Sequence, residues 1–403
     1  MFEVADALAE ILRHAKLLPP RTVRLAPVIV GGVLAQDIRA EADSPPFDKS
    51  LRDGYAVRAA DCAAKNPELR YLQVVDEIAA GAVPTRRIEP GECARIFTGA
   101  PIPEGADAVV MQENTTATGE TVQIRDANVK PGQWVFARGA EMRSGDVVLE
   151  TGTVFSPATV GVLAGLGITQ PLVTAIPSVG VLATGNELVD ASETPGPGQI
   201  RNSNGPMLAA QAARTGAIVH DLGIAADTAD ELTRRISEEL SKHQVLILAG
   251  GVSVGKFDLV PAALEQLGVA IHFRQVRLKP GKPLLFGTFG DTLVFGLPGN
   301  PVSAFVCFEL FVRPALRALA GHADPGPFLT SLPLADAIAA THDRPTYHPA
   351  KLERGETTWS VRPLPWLGAA DLRGLQPADA FVVLPAGETR LDRGSLVRVV
   401  LMD

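Results

Sequence analysis

The chain has 403 residues, of which 46% are hydrophobic and 20% charged; that is the balance of a globular protein too long for one ordinary core, so two to four domains are expected. A formal net charge of −8 argues against nucleic acid or an anionic membrane surface as the main partner, so any anionic ligand must be gripped by local Lys, Arg and backbone amides. Three cysteines, Cys62, Cys93 and Cys307, are odd in number and lack CxxC spacing, which implies neither a disulfide framework nor a zinc site and suits a reducing cytoplasm.

The opening stretch MFEVADALAEILRHAK has acids early and apolar residues at helical spacing, which predicts a helix and not a signal peptide. Residues 21–41 mix Val, Pro and Gly, and DSPPFDKSLRDGYAV reads as an irregular loop entering a strand. From 55 to about 138, short alternating runs such as YLQVVDEI, GECARIF, DAVVMQE and TVQIR are separated by Gly, Pro and Asn, the pattern of a small, mostly β domain. GAEMRSGDVVLETGT then resembles a return to the first helical region, which makes that first domain discontinuous. Residues 151–186 contain no charge and are long enough to span a bilayer. Pro157, Pro171 and Pro177 cut them into pieces, so a short helix at 157–166 and strands near 171–175 and 178–183 are expected instead.

From residue 177 strands alternate with helices: SVGVLA, then SNGPMLAAQAARTG with Asn204 as cap and Gly216 as stop, AIVHDLGI, TADELTRRISEELSKH, VLILA, VPAALEQLG and VAIHFRQV. PLLFGT and TLVFGL add two short strands before the helix VSAFVCFELFVRPALRAL, which Pro314 is expected to kink. This alternation means βαβ units and a mainly parallel sheet. After the turn-rich HADPGP, short strands KLERG, TWSVRPL, FVVLP and SLVRVVLM predict a closing β domain. The expected fold class is multidomain α/β plus β: a discontinuous domain of residues 1–41 with 139–172, a mostly β domain of 42–138, an α/β domain of 173–322 and a small β domain of 323–403.

Ligands of open α/β sheets bind outside the carboxyl ends of strands, and four such ends carry unusual residues. LAGGVSVGKFD offers Gly250, Gly255 and Lys256 at P-loop spacing, but Phe257 stands where a metal-binding hydroxyl is required, so it is not a Walker loop. A glycine-rich turn after a strand still presents backbone N–H groups suited to an anion. TGNEL, the segment ending at Asp227, the loop ending at Asp258 and PGNP present Glu187, Asp227, Asp258 and Asn300 to one rim, oxygen donors that suit a hard cation such as Mg²⁺. Taken alone, Glu187 reads equally well as a surface acid, and Asp227 reads better as the N-cap of a helix beginning at Thr228. KPGKP places Lys279 and Lys282 on a turn stiffened by Pro280 and Pro283, where two ammonium groups can grip an oxyanion, against the alternative of a solvated basic turn.

TGNEL, GGVSVGKFD, KPGKP and GLPGNPVSA, in this order, resemble the molybdopterin molybdenumtransferases of the MoeA type, seen also as the E domain of gephyrin. SPPFDKSLRDGYAV and IFTGAPIPEGADAVVMQE match the same family, so the resemblance spans essentially the whole chain. It implies an elongated four-domain homodimer in the cytoplasm that takes adenylylated molybdopterin and molybdate, cleaves the adenylyl anhydride with Mg²⁺, and releases AMP and molybdenum cofactor. It implies a cleft shared between subunits, with a molybdopterin adenylyltransferase as upstream donor of substrate. By motif, Asp53, Glu187, Asp227 and Asp258 take catalytic places, with Glu187 and Asp258 on the metal. Thr98, Gly250, Gly251, Ser253, Lys279, Lys282, Pro298, Asn300 and Pro301 take substrate-binding places, and Lys256 has no assigned part. The chain departs from the family pattern at Leu51 and Arg52 beside Asp53, at Ala369 where a serine is usual, and in lacking an arginine near Pro349. Two other readings share parts of these motifs: an adenylyltransferase-like enzyme, opposed by the β domain and the Asp53 motif, and a non-catalytic scaffold, opposed by intact acids and lysines at the core positions.

Overall fold

A computed structural model describes residues 1–26, 31–63, 70–126, 128–252, 259–356 and 358–402. By backbone proximity the chain forms two units, one of residues 1–36 with 152–403 and the other of residues 37–151.

In the larger unit the strand and helix alternation after residue 177 builds a six-stranded sheet in the order 218–225, 178–184, 245–249, 292–297, 283–289, 270–275. The first four strands run parallel. The last two are antiparallel additions, because Gly290 and Asp291 close a tight hairpin between Pro283–Phe289 and Thr292–Leu297. The sheet is thus mixed, with a parallel half that carries the loops of interest. Val245–Ala249 is buried at every position, as a central parallel strand covered on both faces should be. One face packs Val179, Val181, Ile247, Phe286 and Phe295 against helices, and the other packs Leu182, Leu246, Leu248 and Val294. Each such fully buried side chain contributes roughly 1.5–3 kcal/mol relative to exposure.

The helix Asn204–Arg214 is N-capped by Ser203 without a side-chain bond; Asn204 is not the cap, because its amide donates elsewhere, to the Gly299 carbonyl. The helix Ala229–Glu239 is capped by Thr228, whose hydroxyl accepts from the Glu231 N–H. Asp227 is therefore not an N-cap either. The expected kink near Pro314 takes the form of a π-helical turn, Phe308–Val312, between Pro301–Cys307 and Arg313–Leu319. The turn buries Glu309, which pairs with Arg313 at 3.0 Å and accepts from Gln211 at 2.7 Å, fastening this helix to Asn204–Arg214. The uncharged stretch folds as a short helix, Pro157–Gly165, capped by Ser156, and strands Leu172–Thr174 and Ser178–Thr184. Among the described residues no helix is long and apolar enough to cross a membrane. The chain ends in a five-stranded antiparallel sheet in the order 329–333, 396–401, 380–384, 346–354, 359–363.

The smaller unit holds a six-stranded mixed sheet in the order 108–111, 54–57, 92–96, 71–78, 121–124, 115–118. Alternating residues feed two apolar layers, one with Val57, Leu72, Cys93 and Val122, the other with Ala56, Ile78, Ile96 and Val109.

Candidate functional site

The four parallel strands end in register: Thr184 lies opposite Ala225, Ala183 opposite Ala249, and Ala249 opposite Leu297. Gly185, Ala226, Gly250 and Pro298 therefore leave the sheet along one rim, as the sequence pattern predicts. The loops are tied to each other. The Gly185 N–H reaches the Ala225 carbonyl at 3.3 Å, the Gly250 N–H reaches Leu297 at 3.0 Å, and Asn186 Oδ1 accepts the Asp227 N–H at 3.0 Å. Glu187 is exposed, with its carboxylate folded over Gly185; a methyl group at Gly185 would lie 2.6 Å from Glu187 Oε2. Asp227 is half-buried on the neighbouring loop, tied to Asn186.

Beneath the glycine pair sits the buried Thr184 hydroxyl, which has no hydrogen-bond partner among the described residues. Gly250 and Gly251 have φ of +105° and +64°, and a Cβ on Gly250 would come within 2.5 Å of the Thr184 carbonyl oxygen. Only glycine allows the turn to pass this close. Ser253 and Asp258 lie outside the described residues, as do Gly255, Lys256 and Phe257.

Pro298 is buried and Asn300 exposed at the start of the helix Pro301–Cys307. The loop is held at one side by Asn204, whose amide donates to Gly299 at 2.7 Å, and at the other by Val302, whose N–H reaches the Ala369 carbonyl at 3.0 Å. The same helix start carries Ser303 into a cavity of about 500 Å³, lined also by Lys279, Lys282, Arg344, His348 and Ala369. The KPGKP turn is a small hairpin closed by Val276 N–H to the Lys282 carbonyl at 3.0 Å. It is docked on the C-terminal sheet, with Lys279 N–H to Pro345 at 2.9 Å and Tyr347 N–H to the Lys279 carbonyl at 2.8 Å. Gly281 cannot be replaced lightly, since its Cβ would lie 2.6 Å from Cys307 Sγ.

Sequence reasoning missed Arg344, His348 and Ser303 as cavity residues. The signal available for Arg344 was its place just ahead of the strand Thr346–Arg354, the strand that receives Lys279. A guanidinium thus reaches the cavity from five positions before Pro349, although no arginine stands beside that proline. His348 is oriented by Nε2 on the Leu364 carbonyl at 2.8 Å and stands edge-on to Trp366.

In the smaller unit Asp53 Oδ1 accepts both the Thr98 N–H at 2.7 Å and the Thr98 hydroxyl at 2.8 Å, so the two motif residues meet. These bonds hold the Asp53 carboxyl below its ordinary pKa. The following glycine is obligatory: a Cβ at Gly54 would fall 1.9 Å from the Val110 carbonyl oxygen. The departing Arg52 is turned onto the Trp134 ring, 4.7 Å from its centroid, and Leu51 is exposed. Neither alters the Asp53 and Thr98 pair. All three cysteines are buried, and burial pushes the Cys62 thiol up to about 11 and Cys93 up to about 12, which removes them as nucleophiles.

A family model described as "MoeA N-terminal region (domain I and II)" matches residues 2–167, and one described as "MoeA C-terminal region (domain IV)" matches residues 331–402. Between them, residues 180–318 match a "Probable molybdopterin binding domain". The chain belongs to the MoeA family. This MoeA-family chain is 34% identical over 401 residues to a molybdopterin molybdenumtransferase of Staphylococcus aureus (strain COL), covering 99% of this chain and 95% of that one. It is 36% identical over 374 residues to the molybdopterin molybdenumtransferase of Bacillus subtilis (strain 168), covering 92% and 87%. The crystal structure of the molybdopterin biosynthesis moeA protein from Pyrococcus horikoshii OT3 superposes with a TM-score of 0.85 at 29% identity, covering all of both chains. The MoeA fold, with its mixed α/β sheet and β-rich domains, is the fold of this chain.

Proposed function

We propose that this chain is a molybdopterin molybdenumtransferase that moves molybdenum from molybdate into adenylylated molybdopterin, cleaving the adenylyl anhydride and releasing AMP and molybdenum cofactor. The observation that carries this reading is the rim at the carboxyl ends of four adjacent parallel strands, where Glu187, Asp227, Gly250 and Asn300 leave the sheet. From that rim the helix of Pro301 leads into the cavity lined by Lys279 and Lys282.

Each group has a physical task. Cleaving a phosphoric anhydride requires the phosphate oxygens to be neutralised and held, which preorganised donors do at low reorganisation cost. The backbone N–H of Gly251, on a turn held by the Gly250 bond to Leu297, and the Pro298–Pro301 loop cradle the substrate, with Ser253 assigned a part by the motif resemblance. Lys279 and Lys282 act as point charges on molybdate, a dianion, with the planar Arg344 fork beside them. Ala369 presents a methyl group to this cavity where the family usually has a hydroxyl, so oxyanion binding rests more heavily on the three cations.

The carboxylates described at the rim fit Mg²⁺: Glu187 is exposed and Asp227 is half-buried on the neighbouring loop, both oxygen donors, and the motif resemblance adds Asp258, which lies outside the described residues. When bound, the ion would neutralise phosphate charge. Asp53, kept ionised by Thr98, is poorly matched to a general base working near neutrality. We assign it an anchoring role toward a cation or a substrate donor, contributed by one subunit of a homodimer to the acids of the other. In this reading the enzyme works in the cytoplasm as four domains, 1–41 with 139–172, 42–138, 173–322 and 323–403, and receives its substrate from an adenylyltransferase.

The test is AMP release from adenylylated molybdopterin in the presence of Mg²⁺ and molybdate. The wild type is expected to release AMP only with the oxyanion, and Glu187→Gln and Asp258→Ala to lose most of that rate. Nucleotide binding without AMP release under molybdate or tungstate would sink the enzyme reading and leave the scaffold.

A further inference from the structure

Away from the strand-end rim, two imidazoles and a carboxylate come together from two elements. Glu10 and His14 stand four residues apart on the helix Val4–His14, and His272 sits on the edge strand Ala270–Gln275 of the six-stranded sheet. One donor atom from each lies within 4.8 Å of the others. Glu10 Oε1 is 3.1 Å from His14 Nε2 and 3.8 Å from His272 Nδ1. Those separations bracket the edge of about 3.4 Å that ligand bonds near 2.1 Å subtend in a tetrahedral site.

The surroundings prepare the donors. Arg13 holds the other carboxylate oxygen, Oε2, at 2.6 Å, which fixes the Glu10 side chain and leaves Oε1 toward the histidines. His272 Nε2 lies 3.0 Å from the Thr288 hydroxyl, so the tautomer that donates there presents the Nδ1 lone pair to Glu10. That is the outer-sphere arrangement by which metal-ligating histidines are oriented. All three side chains are part-buried, at 14% exposure for Glu10, 20% for His272 and 30% for His14, which leaves an opening for one water. The two rings lie 4.1 Å apart and tilted by 31°, and a turn of the His14 ring about its broad χ2 torsion lets its lone pair converge with the His272 Nδ1 while Thr288 holds His272.

We propose that Glu10, His14 and His272 form a binding site for one borderline divalent transition ion, zinc being the best match, which clips the N-terminal helix to the sheet edge. Two nitrogens and one oxygen with an open fourth position suit Zn²⁺ or Co²⁺ and disfavour Mg²⁺, so the site is chemically distinct from the all-oxygen rim.

Cobalt(II) titration of the chelator-stripped full chain reads this out directly. The expected result is one equivalent with the visible absorption of a four- or five-coordinate site, and a zinc-dependent rise in thermal midpoint. His272→Ala and His14→Ala should each abolish the band and weaken binding by more than the about tenfold to hundredfold that losing an outer-sphere partner costs. Glu187→Gln should leave the band intact. Glu10→Gln, which keeps side-chain volume, guards against a folding artefact, and each variant's melting in chelator should equal that of the wild type. Absence of the band in the wild type, or its survival in both histidine variants, overturns the proposal.

Discussion

Gly250→Ala tests how closely the strand ends must approach. The φ of +105° costs an alanine about 1–2 kcal/mol. Its methyl group would lie 2.5 Å from the Thr184 carbonyl oxygen and 3.2 Å from the Thr184 hydroxyl. The first of these is backbone of the neighbouring parallel strand, which cannot swing aside, so an overpacking cost of about 1–3 kcal/mol is added. The expected loss is about 2–5 kcal/mol, together with displacement of the segment that leads to Glu187. Gly268→Ala is the control, because its φ is +83° and nothing lies within 4 Å of the added methyl group. Urea denaturation and AMP release are compared for both variants. Gly268→Ala should lose only the conformational share and retain full activity, whereas Gly250→Ala should lose more stability and most of its activity. Equal stability and full activity in both would refute the claim that contact with Thr184 shapes the rim.

Lys279→Ala and Lys282→Ala should each raise the half-saturating molybdate concentration by about tenfold or more, the worth of a charge-assisted hydrogen bond, while Ala369→Ser should lower it; a molybdate titration of AMP release reads all three. Thr98→Val removes the hydroxyl that donates to Asp53 at 2.8 Å, so the Asp53 pKa should rise and the acid limb of the pH–rate profile should move to higher pH. His243 is 4% exposed, and burial holds its imidazole below the ordinary 6.5. Above pH 6.5 it is neutral folded and unfolded; as pH falls below 6.5 the unfolded chain takes the proton first, so stability should decline toward the lower folded value. Urea midpoints at pH about 7.5 and about 5.5 should differ less in His243→Gln than in wild type.

Much of the rim was legible because it follows from topology. Four apolar runs each ended in a loop rich in Gly, Pro or acid, and parallel strands must place such loops at one edge. Asp53 and Thr98 were each marked only through the motif resemblance, and their pairing was not legible, since a contact across 45 residues has no periodic signature. Two helix caps were misread for a common reason. Asn204 and Asp227 are both good capping types, but the backbone placed Ser203 and Thr228 one position away and committed Asn204 to the Gly299 carbonyl. The cavity around Lys279 was only half legible: Arg344, just ahead of the strand Thr346–Arg354, and His348, on it, are brought in by docking on KPGKP through backbone bonds that carry no side-chain signature. The Glu10, His14 and His272 cluster was not legible, because two of its members share a helix turn and the third comes from the sheet edge.

The measurement that bears most directly on the transferase reading is the ratio of molybdenum retained on molybdopterin to AMP released in a single turnover of the wild type. The account predicts one metal per AMP, with both falling together in Glu187→Gln. AMP released without molybdate, or without molybdenum retained, would contradict it.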